Sequence, residues 1–177
     1  VKELLHSKIH EERLCALFIL IEKYKNKKST PKNKKEIYKL YLNNTKFINN
    51  WDLVDLSAPN IVGNYLFENR KEIKVLEKLA KSELLWDKRI SIVSTLYFIR
   101  EKEFDSTIKI SKILLQDEHD VIQQAVGWML REVVNRDLKI EANFLKENYK
   151  IMPRTMLRYA IEKFSEEKSE KYLKGKI

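Results

Sequence analysis

Apolar residues recur at three- and four-residue steps along most of the chain, which is the spacing of one face of an α-helix. In the segment 11–24 these positions are Leu14, Leu17, Phe18, Ile21 and Tyr24. No segment shows the two-residue alternation of a half-buried strand. The sequence therefore predicts an all-α protein, with helices at 11–24, 31–43, from 51 onward, 60–67, 70–81, 84–99, 104–115, 120–134, 137–149, 153–164 and 165–173.

The predicted helices are mostly about ten to sixteen residues long, are joined by short polar turns, and come in pairs about forty residues apart when kinks are counted. This period is typical of HEAT-like helix–turn–helix repeats stacked into a solenoid, whose concave face suits a rod-shaped partner. A compact orthogonal bundle is the competing architecture. Because Val1 lies inside an amphipathic pattern, we expect residues 1–177 to be a single HEAT-like domain that lacks its N-terminal helices.

Composition agrees with long helices, since the 177 residues include only 3 Gly and 3 Pro and 34% of them are charged. The formal net charge of +9 favours an anionic partner, nucleic acid first and an acidic protein surface second. No apolar run reaches the ~20 residues of a membrane span and no signal peptide is recognisable. We therefore expect a soluble, cytoplasmic protein without membrane contact.

The chain has one cysteine and three histidines, too few and too scattered for a disulfide framework or a structural zinc site. Cys15 lies in the apolar run 14–17 and is expected to be buried as a small hydrophobic residue. A second feature is the segment 23–39, which holds eight lysines and one acid, Glu36. It fits either a solvated loop and helix end or a rim that contacts phosphates.

The stretch Asn50-Trp51-Asp52-Leu53-Val54-Asp55 has the form of a helix start, with Asn50 or Asn49 as the N-cap. Trp51 and Asp55 are four residues apart, so they lie on one face, while Leu53 points elsewhere. One interpretation is a partly buried tryptophan beside a surface acid. The other is an aromatic wall beside a fixed negative charge, which suits a cationic ligand.

Two further stretches place unusual residues on helices. Trp128 lies opposite the apolar stripe of its helix, in a row with Gln124 and Arg131, so it either packs on a neighbouring helix or meets a sugar, base or phosphate. Gly127 costs about 1 kcal/mol of helix stability relative to Ala and permits close approach of another backbone. Asp120 is expected to cap this helix.

The third stretch is Trp86-Asp87-Lys88-Arg89. Trp86 begins the apolar face of its helix and is expected in the core. Arg89 lies at the edge of that face, so its guanidinium must reach water or find a partner. Asp55 and a bound phosphate are both candidates for that partner.

Taken together, these stretches resemble the AlkD-like DNA alkylation repair glycosylases. The ordered set is Asn50-Trp51-Asp52-Leu53-Val54-Asp55, Trp86-Asp87-Lys88-Arg89 and Gly127-Trp128-Met129-Leu130-Arg131-Glu132, with His10-Glu11-Glu12-Arg13 before it and Arg154-Thr155-Met156-Leu157-Arg158-Tyr159-Ala160 after it. No single tetrapeptide is specific, but the set in this order covers nearly the whole chain.

The resemblance implies a HEAT-like solenoid whose concave face holds duplex DNA and which hydrolyses the N-glycosidic bond of N3- and N7-alkylated purines. It implies Asp55 as the catalytic aspartate, Trp51 and Trp128 as DNA-facing tryptophans, and Arg89 as the site arginine. The implied reaction needs no metal or redox cofactor. The resemblance also suggests that the damaged nucleotide is handled without a base-binding pocket. We expect a monomer, with a phosphate-binding rim formed by Lys88, Arg131, Arg154 and Arg158.

Two other classes of function remain open at this level. A non-catalytic HEAT-like module that binds structured DNA or a protein explains the charge and the solenoid equally well, and a scaffold for an acidic protein is a weaker alternative. Neither explains Asp55 beside Trp51 on an otherwise basic surface. A carboxylate weakens phosphate binding, so its position there favours catalysis.

Overall fold

The computed structural model describes residues 1–177 and contains helices and turns but no strand. Short 3-10 turns follow several helices, and a π-helical turn, Pro59–Gly63, joins α4 to α5. The α-helices are α1 Lys2–Leu5, α2 His10–Lys25, α3 Pro31–Leu42, α4 Trp51–Ala58, α5 Asn64–Glu68, α6 Lys74–Ala80, α7 Leu85–Arg100, α8 Asp105–Ile113, α9 Asp120–Val134, α10 Leu138–Asn148, α11 Arg154–Ala160 and α12 Glu166–Leu173. The all-α prediction is confirmed, although no helix was predicted at the position of α1.

The helices form two layers. In the first layer, α2 packs on α4, α4 on α7, α7 on α9 and α9 on α11. Helices α3, α6, α8, α10 and α12 pack against this layer from one side or at its end. The chain thus returns to the same layer after every one or two intervening helices, which is the arrangement of a helical-repeat fold.

The helices of the first layer run parallel, because residues near their first turns meet. His10 at the start of α2 contacts Asp52 at the start of α4, and Asp55 in α4 contacts Arg89 in the second turn of α7. Helices α4, α7, α9 and α11 begin at residues 51, 85, 120 and 154, so they recur every 34 or 35 residues. The predicted spacing of about forty residues fits only the step from α2 to α4.

Side-chain caps fix several helix starts. The Asn50 carboxamide accepts from the backbone N–H of Trp51 at 2.7 Å, which confirms one of the two expected caps of α4. Thr30 caps α3, whose first residue is Pro31, and Asp137 caps α10. The prediction that Asp120 caps α9 is wrong by one residue, because His119 is the N-cap and Asp120 is the first helical residue.

The 43 buried apolar residues form one continuous core between the layers. In α2 the buried stripe is Ala16, Leu17, Leu20, Ile21 and Tyr24. Of the predicted stripe, Leu17, Ile21 and Tyr24 are buried. Leu14 is partly buried, but Phe18 is 50% exposed. Cys15, which was expected to be buried, is exposed. Phe18 and Cys15 both lie on the face opposite the true stripe. No helix of the protein combines the length and apolar character needed to cross a membrane.

Candidate nucleic-acid interface

Helix α4 presents Trp51 and Asp55 on its accessible side. Trp51 is 58% exposed, which is unusual for the largest apolar side chain. Asp55 follows one turn later and is partly exposed, whereas Leu53 and Val54 between them are fully buried. The structure therefore favours an aromatic surface beside a carboxylate over a partly buried core tryptophan at position 51.

Asp55 is held by a bidentate ion pair with Arg89 of α7. Arg89 Nε donates to Asp55 Oδ1 at 2.9 Å and Nη2 donates to Oδ2 at 2.7 Å. A third bond, from Nη1 to the carbonyl oxygen of Val121, ties the same guanidinium to the first turn of α9. The pairing with Asp55, one of the two partners expected for Arg89, is therefore observed.

Burial and pairing act on the charge of Asp55 in opposite directions. Burial raises the pKa of the Asp55 carboxyl above its ordinary value, because the ionised form loses hydration. The hydrogen bonds and positive charge of Arg89 work against this rise and favour the carboxylate. The arrangement can place a negative charge at a fixed, partly dehydrated position, which is what stabilising a transient cation requires.

Four polar residues occupy the same position in the sequence of the first-layer helices. Asp55, Arg89, Gln124 and Arg158 are each the fifth residue of their helix, in α4, α7, α9 and α11 respectively. Asp55 and Arg89 contact each other directly. Gln124 is partly exposed and Arg158 is exposed. The fifth position therefore changes from a largely buried ion pair in α4 and α7 to an exposed cation in α11.

Trp128 lies on the partly exposed face of α9. It follows Val121 by seven residues, so both lie on the same side of the helix, and Val121 is the residue whose carbonyl accepts from Arg89. Trp128 packs on the edge of the core but is not enclosed by it. This position agrees with both interpretations made from the sequence, since one side of the residue contacts protein and the other remains accessible.

Gly127 explains how α9 and α11 approach each other. A Cβ atom at position 127 would lie 2.5 Å from the carbonyl oxygen of Met156 and 2.5 Å from the Cβ of Tyr159. Both distances are far below van der Waals contact, so only glycine fits. The close approach predicted from this glycine is confirmed, and it fixes α11, with Arg154 and Arg158, next to Trp128.

A hydrogen bond that was not predicted from the sequence borders the site. His10 Nε2 lies 2.7 Å from Asp52 Oδ2, and both side chains are about one-third exposed. The pair joins the first turn of α2 to the first turn of α4. The only sequence signal was the segment His10-Glu11-Glu12-Arg13, which carries no information about a partner 42 residues away.

Three of the four residues predicted to form a basic rim have partners within the protein. Lys88 donates to Asp117 at 2.8 Å, Arg131 pairs with Glu162, and Arg154 donates to the carbonyl oxygen of Leu173 at 2.6 Å. Burial tends to raise the pKa of Asp117, but hydrogen bonds from Lys88 and His119 outweigh burial and lower it. Arg158 is the rim residue whose guanidinium has no such partner.

The main pockets of the molecule lie away from Asp55. The five main pockets of the molecule are lined by residues other than Trp51, Asp55 and Trp128, and the largest of them, about 610 Å³, lies between α2 and α3. No three side chains of the His, Cys, Asp and Glu types are grouped closely enough to hold a metal ion.

Comparisons with known proteins agree with one another. The model of a family described as DNA alkylation repair enzyme matches residues 1–164. A solved structure described as a predicted DNA alkylation repair enzyme from Enterococcus faecalis aligns with 93% of this chain and 81% of its own, with a TM-score of 0.58 and 19% sequence identity. At that identity the likeness establishes a shared fold. The curated proteins contain no match to the chain.

Proposed function

Because the chain belongs to the DNA alkylation repair enzyme family, and so to DNA repair, we propose that it is a DNA glycosylase acting on N3- and N7-alkylated purines in duplex DNA. The observation that carries the proposal is the geometry of Asp55. Its carboxylate is held by Arg89 through two hydrogen bonds and lies one helical turn from the exposed Trp51.

The reaction is hydrolysis of the bond between C1′ of the deoxyribose and the purine nitrogen. Alkylation at N3 or N7 makes the base a cation, so it leaves with the bonding electrons as a neutral purine. Positive charge then develops on the sugar, and the Asp55 carboxylate stabilises that oxocarbenium-like state. Water adds at C1′ and loses its proton to Asp55 or to solvent, which completes the exchange of base for hydroxyl.

The neighbouring residues have different tasks. Trp51 and Trp128 offer aromatic faces to the cationic nucleotide, an attraction worth ~0.5–2 kcal/mol for each ring. Arg89 acts as a positioning residue, since its three hydrogen bonds hold Asp55 relative to α7 and α9. Arg158 and the other residues of the basic rim would bind the DNA backbone. Asp55 lines none of the main pockets, which fits contact with the sugar better than enclosure of a flipped base.

A non-catalytic DNA-binding module is the second candidate, and the Asp55–Arg89 pair argues against it. Burying a carboxylate next to a DNA-binding surface costs solvation and repels phosphates. A module selected only for binding gains nothing from that cost.

The decisive experiment measures release of free base from duplex DNA that carries 7-methylguanine. The wild-type protein should release it, and Asp55→Asn should slow release by ~10²-fold, about 3 kcal/mol, because one electrostatic stabiliser is lost. Asp52→Asn is the matched control, since it removes the same charge one turn away and should retain excision. Full activity of Asp55→Asn, or no release by folded wild-type protein, would reject the proposal.

A further inference from the structure

The turn between α2 and α3 carries a dense group of lysines at a distance from Asp55. Residues 23–39 include eight lysines and one acid. Lys34 pairs with Glu68 and Lys35 lies 3.7 Å from Glu72. The other six form no salt bridge, so most of the positive charge of this turn is not neutralised within the protein. These six are Lys23, Lys25, Lys27, Lys28, Lys32 and Lys39.

A small pocket opens within this group. It has a volume of about 300 Å³ and a largely polar lining, contributed by the end of α2, the following turn, α3 and the first residue of α5. The residues that matter for its chemistry are Tyr24, Lys25, Lys27, Ser29, Lys34 and Asn64.

Three of these residues have buried polar atoms without a hydrogen-bond partner: the hydroxyl oxygens of Tyr24 and Ser29 and Oδ1 of Asn64. Tyr24 as a whole is only 1% exposed. Buried polar atoms in folded proteins are nearly always paired, and each one left unpaired costs ~1–3 kcal/mol. Rotating the Asn64 amide end for end exchanges its oxygen for an NH₂ donor. The pocket can then offer an amide and two hydroxyls as donors beside lysine ammonium groups.

The pocket lies well away from the Asp55 site. Tyr24 follows His10 by fourteen residues along α2, which corresponds to roughly 21 Å at 1.5 Å per residue. Asn64 follows Asp55 by nine residues along the run of α4, the π-helical turn and α5, which corresponds to roughly 14 Å. A group bound in the pocket is therefore a different group from the nucleotide at Asp55.

We propose that this pocket is a phosphate-binding site. Lys25 and Lys27 supply the positive charge, and Tyr24, Ser29 and Asn64 donate to the phosphate oxygens. Lys34 lies over the Tyr24 ring, 5.2 Å from its centroid, and pairs with Glu68 at 3.0 Å, so it forms a wall of the pocket and contributes less net charge. The source of the phosphate, a point that rests on the proposed function, is the backbone of DNA that extends beyond the damaged nucleotide.

The first test uses inorganic phosphate alone and does not depend on DNA repair. Titration followed by NMR should shift the backbone amides of Lys25, Lys27 and Ser29 and the side-chain amide of Asn64. Tyr24→Phe should weaken the binding severalfold. Tyr38→Phe is the matched control, because Tyr38 is also buried with an unpaired hydroxyl but lies outside the pocket. No shift at these residues, or equal effects of the two substitutions, would overturn the proposal.

The second test identifies the source of the phosphate with undamaged duplex DNA. Lys25→Gln/Lys27→Gln should weaken binding and make the log–log salt dependence shallower by about 0.9 for each DNA phosphate that the variant no longer neutralises. Lys139→Gln/Lys146→Gln removes the same charge from exposed positions of α10 and should leave the slope unchanged. Phosphate binding with an unchanged slope would assign the pocket to a free phosphate compound and exclude the DNA backbone. Neither test measures base release, so failure of the glycosylase proposal would be seen separately.

Discussion

Arg89 is more deeply buried than Asp55, the carboxylate that it binds. Their two hydrogen bonds are 2.7 and 2.9 Å long, but the side chain of Arg89 is 6% exposed and that of Asp55 is 19% exposed. The guanidinium is therefore withdrawn from solvent, while part of the carboxylate remains accessible. The difference in exposure fits the proposed function, in which Arg89 positions Asp55. Because the guanidinium is buried, breaking the pair should lower the free energy of unfolding more than breaking a surface ion pair.

We expect a double-mutant cycle to show strong coupling between these residues. Arg89→Met should lower the free energy of unfolding by about 3–5 kcal/mol, because it leaves the Asp55 carboxylate buried without a partner. Arg89→Met/Asp55→Asn should recover a large part of that loss. The loss in Arg89→Met should also shrink as pH falls, since burial raises the pKa of Asp55 and the protonated acid has no charge to leave unpaired. Urea unfolding at several pH values measures each quantity.

The control cycle uses Glu132 and Arg136, an ion pair one helical turn apart on the surface of α9 and its end. Pairs of this kind couple by about 0.5 kcal/mol or less. Equal coupling in the two cycles would show that burial does not strengthen the Asp55–Arg89 interaction.

The helices were predictable because each buries a single stripe of apolar residues, and that stripe determines the period. Phe18 and Cys15 of α2 were wrongly expected to be buried because residues 14–21 are all apolar, which leaves these two as plausible as Ala16 and Leu20. Local spacing alone cannot choose between two apolar faces. The choice depends on which face meets α4, and this is a tertiary contact.

The local arrangement of the candidate site was predictable, but its contacts between helices were only partly so. Trp51 and Asp55 share a helix face by simple spacing. Asp55 was one of two partners expected for Arg89, and the choice depended on a contact between helices 34 residues apart. A spacing of 34 or 35 residues indicates that contact, because it gives Asp55 and Arg89 the same position in neighbouring helices. The predicted spacing of about forty residues does not show this correspondence. The His10–Asp52 pair crosses the one step of the layer with a longer spacing.

Glu141 should make the protein less stable as pH rises. This residue of α10 is fully buried, neither carboxyl oxygen has a hydrogen-bond partner, and burial raises its pKa to about 9 from the usual 4.5, despite the opposing charge of Lys168. Between these two values the unfolded chain is ionised at this position and the folded protein is protonated, so stability falls with rising pH. Glu141→Gln is neutral throughout and should be more stable than wild type at pH 8 by more than about 1 kcal/mol.

Thermal or urea unfolding of both proteins at pH 5 and pH 8 tests this expectation, because the difference should be small at pH 5 and large at pH 8. Glu147→Gln on the same helix is the control, since Glu147 is exposed and should change little at either pH. Parallel pH profiles for wild type and Glu141→Gln would mean that Glu141 is ionised in the folded protein.

The basic rim should contribute unequally to DNA binding. Arg158→Gln should weaken binding to undamaged duplex and reduce the salt slope by about 1, because this exposed arginine has no ion pair and can neutralise a phosphate. Lys88→Gln should have a smaller effect, because Lys88 already pairs with Asp117. Fluorescence anisotropy at several salt concentrations measures both changes. A Lys88 effect equal to that of Arg158 would mean that DNA displaces Asp117.

Substitutions of Trp51 and Trp128 should both reduce excision but should differ in their effect on the free energy of unfolding. Trp51 is 58% exposed, so Trp51→Ala should change the free energy of unfolding by about 0.5 kcal/mol or less, as exposed positions usually do. Trp128 packs on the core edge, so Trp128→Ala should cost more than about 1 kcal/mol, since buried ring surface is removed. Both substitutions should reduce excision of 7-methylguanine when activity is compared at temperatures where each protein is fully folded. Trp51→Phe should retain more activity than Trp51→Ala, because a smaller aromatic face still attracts a cationic nucleotide. If Trp51→Ala excises the base at the wild-type rate, this tryptophan has no part in recognition, and its exposure has another cause.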